Sequence, residues 1–229
     1  MSIAENLRAI EARIVSACEA AGRDPSTVRL LAVSKTKPDA AVQEALDAGQ
    51  RAFGENYAQE LRDKAKAFAD ADPAPEWHFI GHLQRNKVKY AVGKAALIHA
   101  VDSTRLATAI GERAARAGLE QGVLVEVNVG GEASKSGVPP EEALALCAAI
   151  EDIEGVAVKG LMTIPPFQED PADVAPFFDR LAALAAEGRA RGLPLTELSM
   201  GMSHDFEVAV AHGATIIRVG TAIFGARER

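Results

Sequence analysis

Cysteine is scarce in this sequence, and no hydrophobic run is long. The two cysteines, Cys18 and Cys147, lie far apart, without a C-x-x-C pattern or a histidine cluster nearby. We therefore expect two buried free thiols and neither a disulfide nor a metal site. The apolar runs are too short to span a bilayer, and no charged and apolar leader opens the chain. The expected location is the cytoplasm, without membrane association.

Basic charge is also in short supply. The 25 lysines and arginines are outnumbered by 32 acidic residues, which gives a net charge of −7. A general nucleic-acid binder needs an excess of cations against the phosphates, so that class is not expected. The sequence also lacks a P-loop, a G-x-G-x-x-G pattern and a Ser/His/Asp constellation. What remains is an ordinary globular composition, 48% hydrophobic and 25% charged over 229 residues.

Strand-like and helix-like segments alternate along the chain. Apolar runs predict strands at 29–34, 51–54, 77–81, 96–101, 123–129, 156–162, 195–199 and 215–219. Helical periodicity predicts an N-terminal helix and helices at 38–48, 56–70, 84–92, 103–117, 139–151, 170–191 and 204–212. This count favours an α/β fold, a (β/α)8 TIM barrel whose extra N-terminal helix fills the last helical position; a doubly wound sheet is the alternative. No linker or repeat divides the chain, which predicts a single domain over 1–229.

The predicted helix ends carry recognisable signals. Ser2 and Glu5 have the spacing of a capping box, and Ser103 is placed to cap the helix after the fourth strand. Glycines follow several predicted helices shortly before the next strand, at Gly49, Gly118, Gly192 and Gly213.

The lysine at the end of the first strand is the most informative residue. Lys35 follows an apolar run and shares its strand face with Leu31 and Val33. A lysine held partly out of water can present a neutral amine for carbonyl chemistry. The alternative is a solvated lysine at a strand end. Lys37 comes two residues later beside Pro38, and we expect it to point toward solvent.

Two segments near the C-terminus suit a phosphate group. Ser203 follows the seventh strand, and Gly220-Thr221 follow the eighth, which are the positions where such barrels often bind phosphate. Taken separately, Ser203 could be a simple helix N-cap and Gly220 could be part of a tight turn.

Other polar residues follow the strands at the same predicted end. Arg218 interrupts an otherwise apolar strand, so its guanidinium needs a partner. Either a structural ion pair or a bound ring nitrogen would provide one. His82 and Asn56 are candidate ligand contacts, while Asp102 and Glu55 could act as bases or as helix caps. The histidines have no metal-ligand spacing.

These residues occur in long stretches that resemble the pyridoxal-phosphate homeostasis proteins, whose fold is that of the alanine racemase barrel. The resemblance runs nearly the whole length of the chain. It is carried by Leu31-Ala-Val-Ser-Lys35-Thr-Lys-Pro38, Phe53-Gly-Glu-Asn-Tyr57, Trp77-His-Phe-Ile-Gly-His-Leu-Gln-Arg-Asn-Lys87, Val127-Asn128, Lys135-Ser-Gly137, Gly160-Leu-Met162, Leu198-Ser-Met-Gly-Met-Ser203-His-Asp205 and Arg218-Val-Gly-Thr-Ala-Ile-Phe-Gly225. Such long matches are far more specific than a short pattern.

The resemblance implies a site for pyridoxal 5′-phosphate (PLP). In that site Lys35 is the aldimine lysine, Ser203 and Gly220-Thr221 hold the phosphate, and Arg218 faces the pyridine nitrogen. The full set of expected cofactor-binding residues is Lys35, Asn56, Met200, Ser203, Arg218, Gly220 and Thr221.

Two functions fit this resemblance. One is a non-catalytic carrier that stores or buffers PLP or delivers it to PLP-dependent apo-enzymes, as a monomer or a weak dimer. The other is an amino-acid racemase or a related PLP enzyme. Racemases of this fold use an acid/base tyrosine from a second, β-rich domain, and this chain has only Tyr57 and Tyr90. The carrier is therefore the preferred interpretation.

Overall fold

The computed structural model describes residues 2–132 and 135–226, and its sheet is a closed barrel of eight parallel strands in sequence order. The barrel closes where the first strand pairs with the last, in the register of Leu31 with Arg218. The TIM-barrel prediction is confirmed, and the open-sheet alternative is wrong. The strands are β1 (Arg29–Val33), β2 (Ala52–Glu55), β3 (Glu76–Phe79), β4 (Leu97–Val101), β5 (Gln121–Glu126), β6 (Val156–Met162), β7 (Glu197–Met202) and β8 (Ile216–Val219).

Helices cover the outside of this barrel. They are α1 (Ile3–Ala20), α2 (Asp39–Asp47), α3 (Ala58–Ala67), α4 (Val88–Ala91), α5 (Thr104–Ala115), α6 (Pro140–Glu151), α7 (Ala175–Ala190), α8 (Phe206–Ala211) and α9 (Thr221–Phe224). Helix α1 packs against α2, α8 and α9 and so fills the position after β8, as predicted. None of the helices in the described residues is long and apolar enough to cross a membrane.

The helix ends follow the sequence signals in most places. The capping box of Ser2 and Glu5 is present, and Ser103 accepts a hydrogen bond from the Leu106 N–H. The helix predicted at 204–212 begins only at Phe206, because the preceding residues form a turn that the Asp205 carboxylate closes by accepting from the Met202 N–H at 2.6 Å. Ser203 is therefore not a helix N-cap.

The strands separate two hydrophobic layers. The smaller layer lies inside the barrel and consists of Leu31, Ala52, Ile80, Leu97, Ala100, Leu124, Met162 and Ile216, with Val33 packed against it. The larger layer lies between the strands and the surrounding helices and includes both free cysteines. Because side chains alternate along a strand, each strand supplies both layers. This alternation decides which polar residues enter the barrel.

Candidate functional site

Lys35 lies at the barrel mouth, the end that the C-termini of the strands form. Leu31 and Val33 face the barrel interior, and the alternation of side chains directs Lys35 toward the mouth above them. Lys35 is partly exposed. The pairing of Leu31 with Arg218 places Arg218 deeper in the barrel on the neighbouring strand. Amine and guanidinium therefore belong to adjacent strands at different depths.

A buried ion-pair network holds the backbone just before Lys35. The Lys64 ammonium donates to Glu55 Oε1 at 2.8 Å and to the Ser34 carbonyl at 2.7 Å. The Ser34 hydroxyl donates to the same Oε1 at 2.6 Å. Burial raises the pKa of Glu55 to about 7, because it outweighs the attraction of Lys64. The sequence left Glu55 as a base or a cap; in the structure it is a fully buried partner of Lys64.

The same network holds the backbone just after Lys35. Glu60 Oε1 accepts from Lys64 at 2.7 Å and from the Thr36 N–H at 2.7 Å. Thr36 has a φ of 63°, a left-handed conformation that β-branched residues rarely adopt. The turn is held in place by partners on both sides of Lys35, at Ser34 and Thr36.

Arg218 is an almost fully buried cation with neutral hydrogen-bond partners. One guanidinium nitrogen donates to the Ser199 hydroxyl at 2.5 Å, and the other donates to the Thr163 carbonyl at 2.8 Å. Burial lowers the pKa of Arg218 to about 10, although the carboxylates of Asp205 and Glu126 act in the opposite direction. Within the described residues Arg218 has no ion pair, so the structural ion pair considered from the sequence is not formed there.

The residues predicted to bind phosphate lie on neighbouring strand ends. Ser203 follows β7, Gly220 and Thr221 follow β8, and these two strands are paired. A Cβ atom on Gly220 would lie 3.2 Å from the Val33 carbonyl oxygen, so β1 and β8 approach closely at this point. In the described part of the chain the hydroxyls of Ser203 and Thr221 have no hydrogen-bond partner. Both are available to a ligand.

Asn56 follows β2 at the mouth and has an unsatisfied side-chain oxygen. Its Oδ1 is buried, and no donor reaches it from the described residues. A Cβ atom on Gly81 would lie 2.2 Å from the Asn56 carbonyl oxygen, so the ends of β2 and β3 are in close contact here. A buried amide oxygen without a donor costs free energy, which a bound ligand could recover. Asn56 therefore remains a candidate ligand contact.

Met200 does not join the other predicted site residues. It is fully buried in the outer layer, between the barrel and the helices. The register of β7 shifts between Ser199 and Met202, and Gly201 there has a φ of 90°. A side chain on Gly201 would collide with Ala209, at 2.5 Å. Met200 follows the inward-facing Ser199 and so faces outward by ordinary alternation, and the bulge changes that alternation only beyond Met200.

Lys37 is not directed into solvent as its place beside Pro38 suggested. Its ammonium donates to the carbonyls of Phe224 at 2.9 Å and Ala226 at 3.0 Å. Lys37 thereby ties the segment after β1 to the chain that follows β8.

Glu126 is a mouth residue that the sequence analysis missed. It lies two residues after the interior Leu124 on β5 and is only 7% exposed. Burial and the neighbouring Asp102 raise the pKa of Glu126 to about 7, against the attraction of Arg218. The signal available in the sequence was its two-residue spacing from Leu124, which places both side chains on the same face of β5. Burial of a carboxylate at a strand end, however, depends on how the barrel closes.

Replacing Glu126 with glutamine should remove part of the pH dependence of folding. The folded-state pKa of about 7 lies above the ordinary value of 4.5, so the contribution of Glu126 to stability is fully present below pH 4.5 and is lost as the pH rises through 7. Glu126→Gln should be more stable than the parent by about 2–3 kcal/mol at pH 8 and equal to it near pH 4. Urea unfolding at both pH values measures this. Exposed Glu120→Gln is the control, and an equal effect of both variants would contradict the assignment.

Comparison with known proteins places this architecture in a family. Residues 5–228 match the family model described as alanine racemase, N-terminal domain. The chain is 48% identical to the pyridoxal phosphate homeostasis protein of Aquifex aeolicus over 100% of both chains. It is 46% identical to the protein of that name from Pseudomonas aeruginosa, over 99% of this chain and 96% of the relative.

A solved structure is also similar to this chain over nearly its whole length. PipY of Synechococcus elongatus, with PLP bound, is 38% identical and superposes with a TM-score of 0.85 over 98% of this chain and 100% of PipY. Identity at this level over nearly the whole of both chains is far more than a shared barrel requires. The chain therefore belongs to the pyridoxal phosphate homeostasis proteins, a family built on the alanine racemase N-terminal domain.

Proposed function

We propose that this chain binds PLP in the barrel mouth and stores it, buffers it or delivers it to other enzymes. Lys35 holds the cofactor as an aldimine, Ser203 and Gly220-Thr221 bind its phosphate, and Arg218 faces its pyridine nitrogen. The PLP-bound structure of PipY, related over nearly the whole chain, supports this assignment.

The groups at the mouth match the chemistry of PLP. The cofactor supplies an aldehyde, a phosphate and a ring nitrogen, and the mouth supplies an amine, two hydroxyls without partners in the described part of the chain, and a guanidinium. Arginine has five N–H donors, of which Arg218 uses two within the described residues. The orphaned Oδ1 of Asn56 is a further sign that a ligand completes this site.

Arg218 is the observation that argues against chemistry that needs a strong electron sink. A guanidinium can only donate hydrogen bonds, so a pyridine nitrogen that faces it must accept and remain unprotonated. When bound, PLP supplies an electron sink whose strength depends on protonation of that nitrogen. Burial lowers the pKa of Arg218 only to about 10, so it stays charged at neutral pH. Arg218 therefore disfavours amino-acid chemistry that needs a strong electron sink, while racemisation stays compatible with it.

Binding, exchange and transfer measurements test this function together. The purified protein should bind PLP with the absorbance of a protonated imine, and borohydride should fix the cofactor to it. With a panel of amino acids in D2O, exchange of α-protons should remain close to the rate of free PLP. The loaded protein should restore a PLP-dependent apo-enzyme even when a phosphatase destroys free PLP. Rapid exchange would instead support the racemase alternative.

Replacing Ser203 with alanine should weaken PLP binding by about 10- to 150-fold. A hydrogen bond to a charged group contributes about 1.5–3 kcal/mol, and each 1.4 kcal/mol is tenfold in affinity. Pyridoxal without its phosphate should bind far less well than PLP and should not distinguish parent from variant. Spectroscopic titration measures both. Ser26→Ala, an exposed serine before β1, is the matched control; equal affinity for PLP and pyridoxal would refute the phosphate site.

A further inference from the structure

A line of hydrogen bonds crosses the barrel interior from Arg218 to the opposite end. The Ser199 hydroxyl accepts from Arg218 and lies 2.9 Å from Nδ1 of His99. Nε2 of His99 lies 2.9 Å from Nδ1 of His78, and Nε2 of His78 lies 2.8 Å from Glu76 Oε1. Ser199 and both histidines are fully buried, while Glu76 is half-exposed at the start of β3.

The chemistry of the end groups gives this line one direction. Arg218 can only donate, so the Ser199 oxygen accepts from it, and the Ser199 hydroxyl still has a proton that it can donate to Nδ1 of His99; the Glu76 carboxylate, which can only accept, fixes this direction when both histidines are neutral. His99 then carries its proton on Nε2 and donates it to Nδ1 of His78. His78 in turn carries its proton on Nε2 and donates it to the Glu76 carboxylate, which can only accept. Every donor meets an acceptor, and neither histidine needs a positive charge.

The surrounding charges favour this uncharged arrangement. Arg29 donates to Glu76 Oε1 at 3.0 Å, so the carboxylate at the far end already has a cationic partner. Burial, reinforced by His78, Arg218 and Arg29, holds the pKa of His99 well below its ordinary value. The reverse direction would require a doubly protonated His78, and hence a second buried cation inside the barrel.

We propose that Ser199, His99 and His78 are positioning residues, which form a one-way hydrogen-bond chain between Arg218 and Glu76 and fix the orientation of the Arg218 guanidinium. Ser199, at one end of this hydrogen-bond chain, accepts from one guanidinium nitrogen, and the Thr163 carbonyl accepts from the other. The remaining N–H groups are then presented to the mouth in one geometry. The inference that these N–H groups meet a cofactor ring rests on the proposed function. The hydrogen-bond chain does not rest on it.

The direction of the chain is measurable in the cofactor-free protein. Long-range 15N–1H spectra of histidine side chains distinguish the two neutral tautomers from the charged ring. His78 and His99 should both be neutral with the proton on Nε2, and Arg218 should give separate Nη signals because its rotation is blocked. An Nδ1–H tautomer or a charged ring at either histidine would contradict the proposed direction of the hydrogen-bond chain. Averaged Nη signals would overturn the positioning role, even without any variant.

Two variants cut the chain at different links and test its effect on binding. Ser199→Ala removes the hydroxyl, and His99→Leu replaces a buried ring with an apolar side chain of similar size. Each should average the Arg218 Nη signals and weaken PLP binding by about three- to tenfold, and each should alter the absorbance of the bound cofactor. Ser199→Thr, which keeps the hydroxyl, should restore the parent signals.

The control is His212→Asn, since His212 lies outside the barrel and contacts Asp179. It should leave the signals of His78, His99 and Arg218 unchanged. The proposal would be refuted if Ser199→Ala and His99→Leu folded but kept the Arg218 Nη signals and the cofactor absorbance of the parent. A parent protein that shows the predicted tautomers but does not bind PLP would instead refute the proposed function and leave the hydrogen-bond chain intact.

Discussion

Replacing Lys35 with alanine should abolish covalent attachment of PLP. The parent should lose its imine absorbance on reduction with borohydride and retain the cofactor through denaturation, whereas Lys35→Ala should show neither behaviour. The reason is position: Lys35 lies at the mouth just after β1, and its neighbours Ser34 and Thr36 are anchored by Lys64 and Glu60. Absorbance spectra and mass spectrometry of the reduced protein measure the effect.

Lys37→Ala is the matched control, because Lys37 is two residues away and already donates to the carbonyls of Phe224 and Ala226. This variant should keep the imine absorbance and the borohydride adduct, with at most a small loss of stability from the freed C-terminal segment. Peptide mapping that placed most of the adduct on Lys37 in the parent would contradict the assignment of Lys35.

Replacing Lys64 with methionine should destabilise the protein by about 3–5 kcal/mol, the usual cost of removing one partner of a buried ion pair. Lys64 is 4% exposed and has three acceptors, on Ser34, Glu55 and Glu60. Without it Glu55 would be buried with no cation, and the Ser34 carbonyl would lose its donor. Urea unfolding measures the loss, and exposed Lys66→Met on the same helix should change stability by less than about 0.5 kcal/mol.

The loss should also depend on pH in a defined direction. Lys64 lowers the pKa of Glu55, which burial raises to about 7, so its removal raises that pKa further. Both proteins then contain a neutral Glu55 at pH 5.5, whereas at pH 8 Glu55 ionises at a lower cost in the parent, beside the Lys64 ammonium, than in the variant, which has no cation there. The penalty should therefore be larger at pH 8. In the double variant Lys64→Met, Glu55→Leu most of the penalty should disappear; a fully additive double variant would contradict the coupling.

The Lys64 network also connects stability to the proposed function. Its acceptors include the backbone on one side of Lys35 and, through Glu60, the backbone on the other. Loss of the network should therefore let the amine move relative to Arg218, whose position is fixed independently within the barrel. The Lys64 network thus helps to determine the geometry at the mouth through the two neighbours of Lys35.

The barrel was predictable because its signals are local. Apolar runs, helix periodicity, the Ser2 and Ser103 caps and the glycines after helices each depend on neighbours within a few residues, and the eight strands follow from counting them. Boundaries were less accurate where a side chain bonded outside its own segment. The turn closed by Asp205, which delays α8 to Phe206, is such a case.

The site was predictable only in part. Lys35, Ser203 and Arg218 follow from position at strand ends, because every parallel strand ends at the same side of a barrel. Ordinary alternation already places Met200 in the outer layer, next to the inward-facing Ser199, whereas the bulge at Gly201 could not be read from the pattern. The contacts of Lys37 could not be predicted from the sequence pattern either, since its two carbonyl partners come from the other end of the chain.

The sequence by itself determined the alternation of strands and helices, the barrel and the residues at its mouth, because backbone geometry and side-chain alternation are properties of short segments. Only the tertiary structure decided which polar side chains meet. His78 and His99 read as scattered histidines along the chain, and closure of the barrel brought them within 2.9 Å and joined them to Ser199. Contacts across a closed sheet depend on register and strand order, which no single segment encodes.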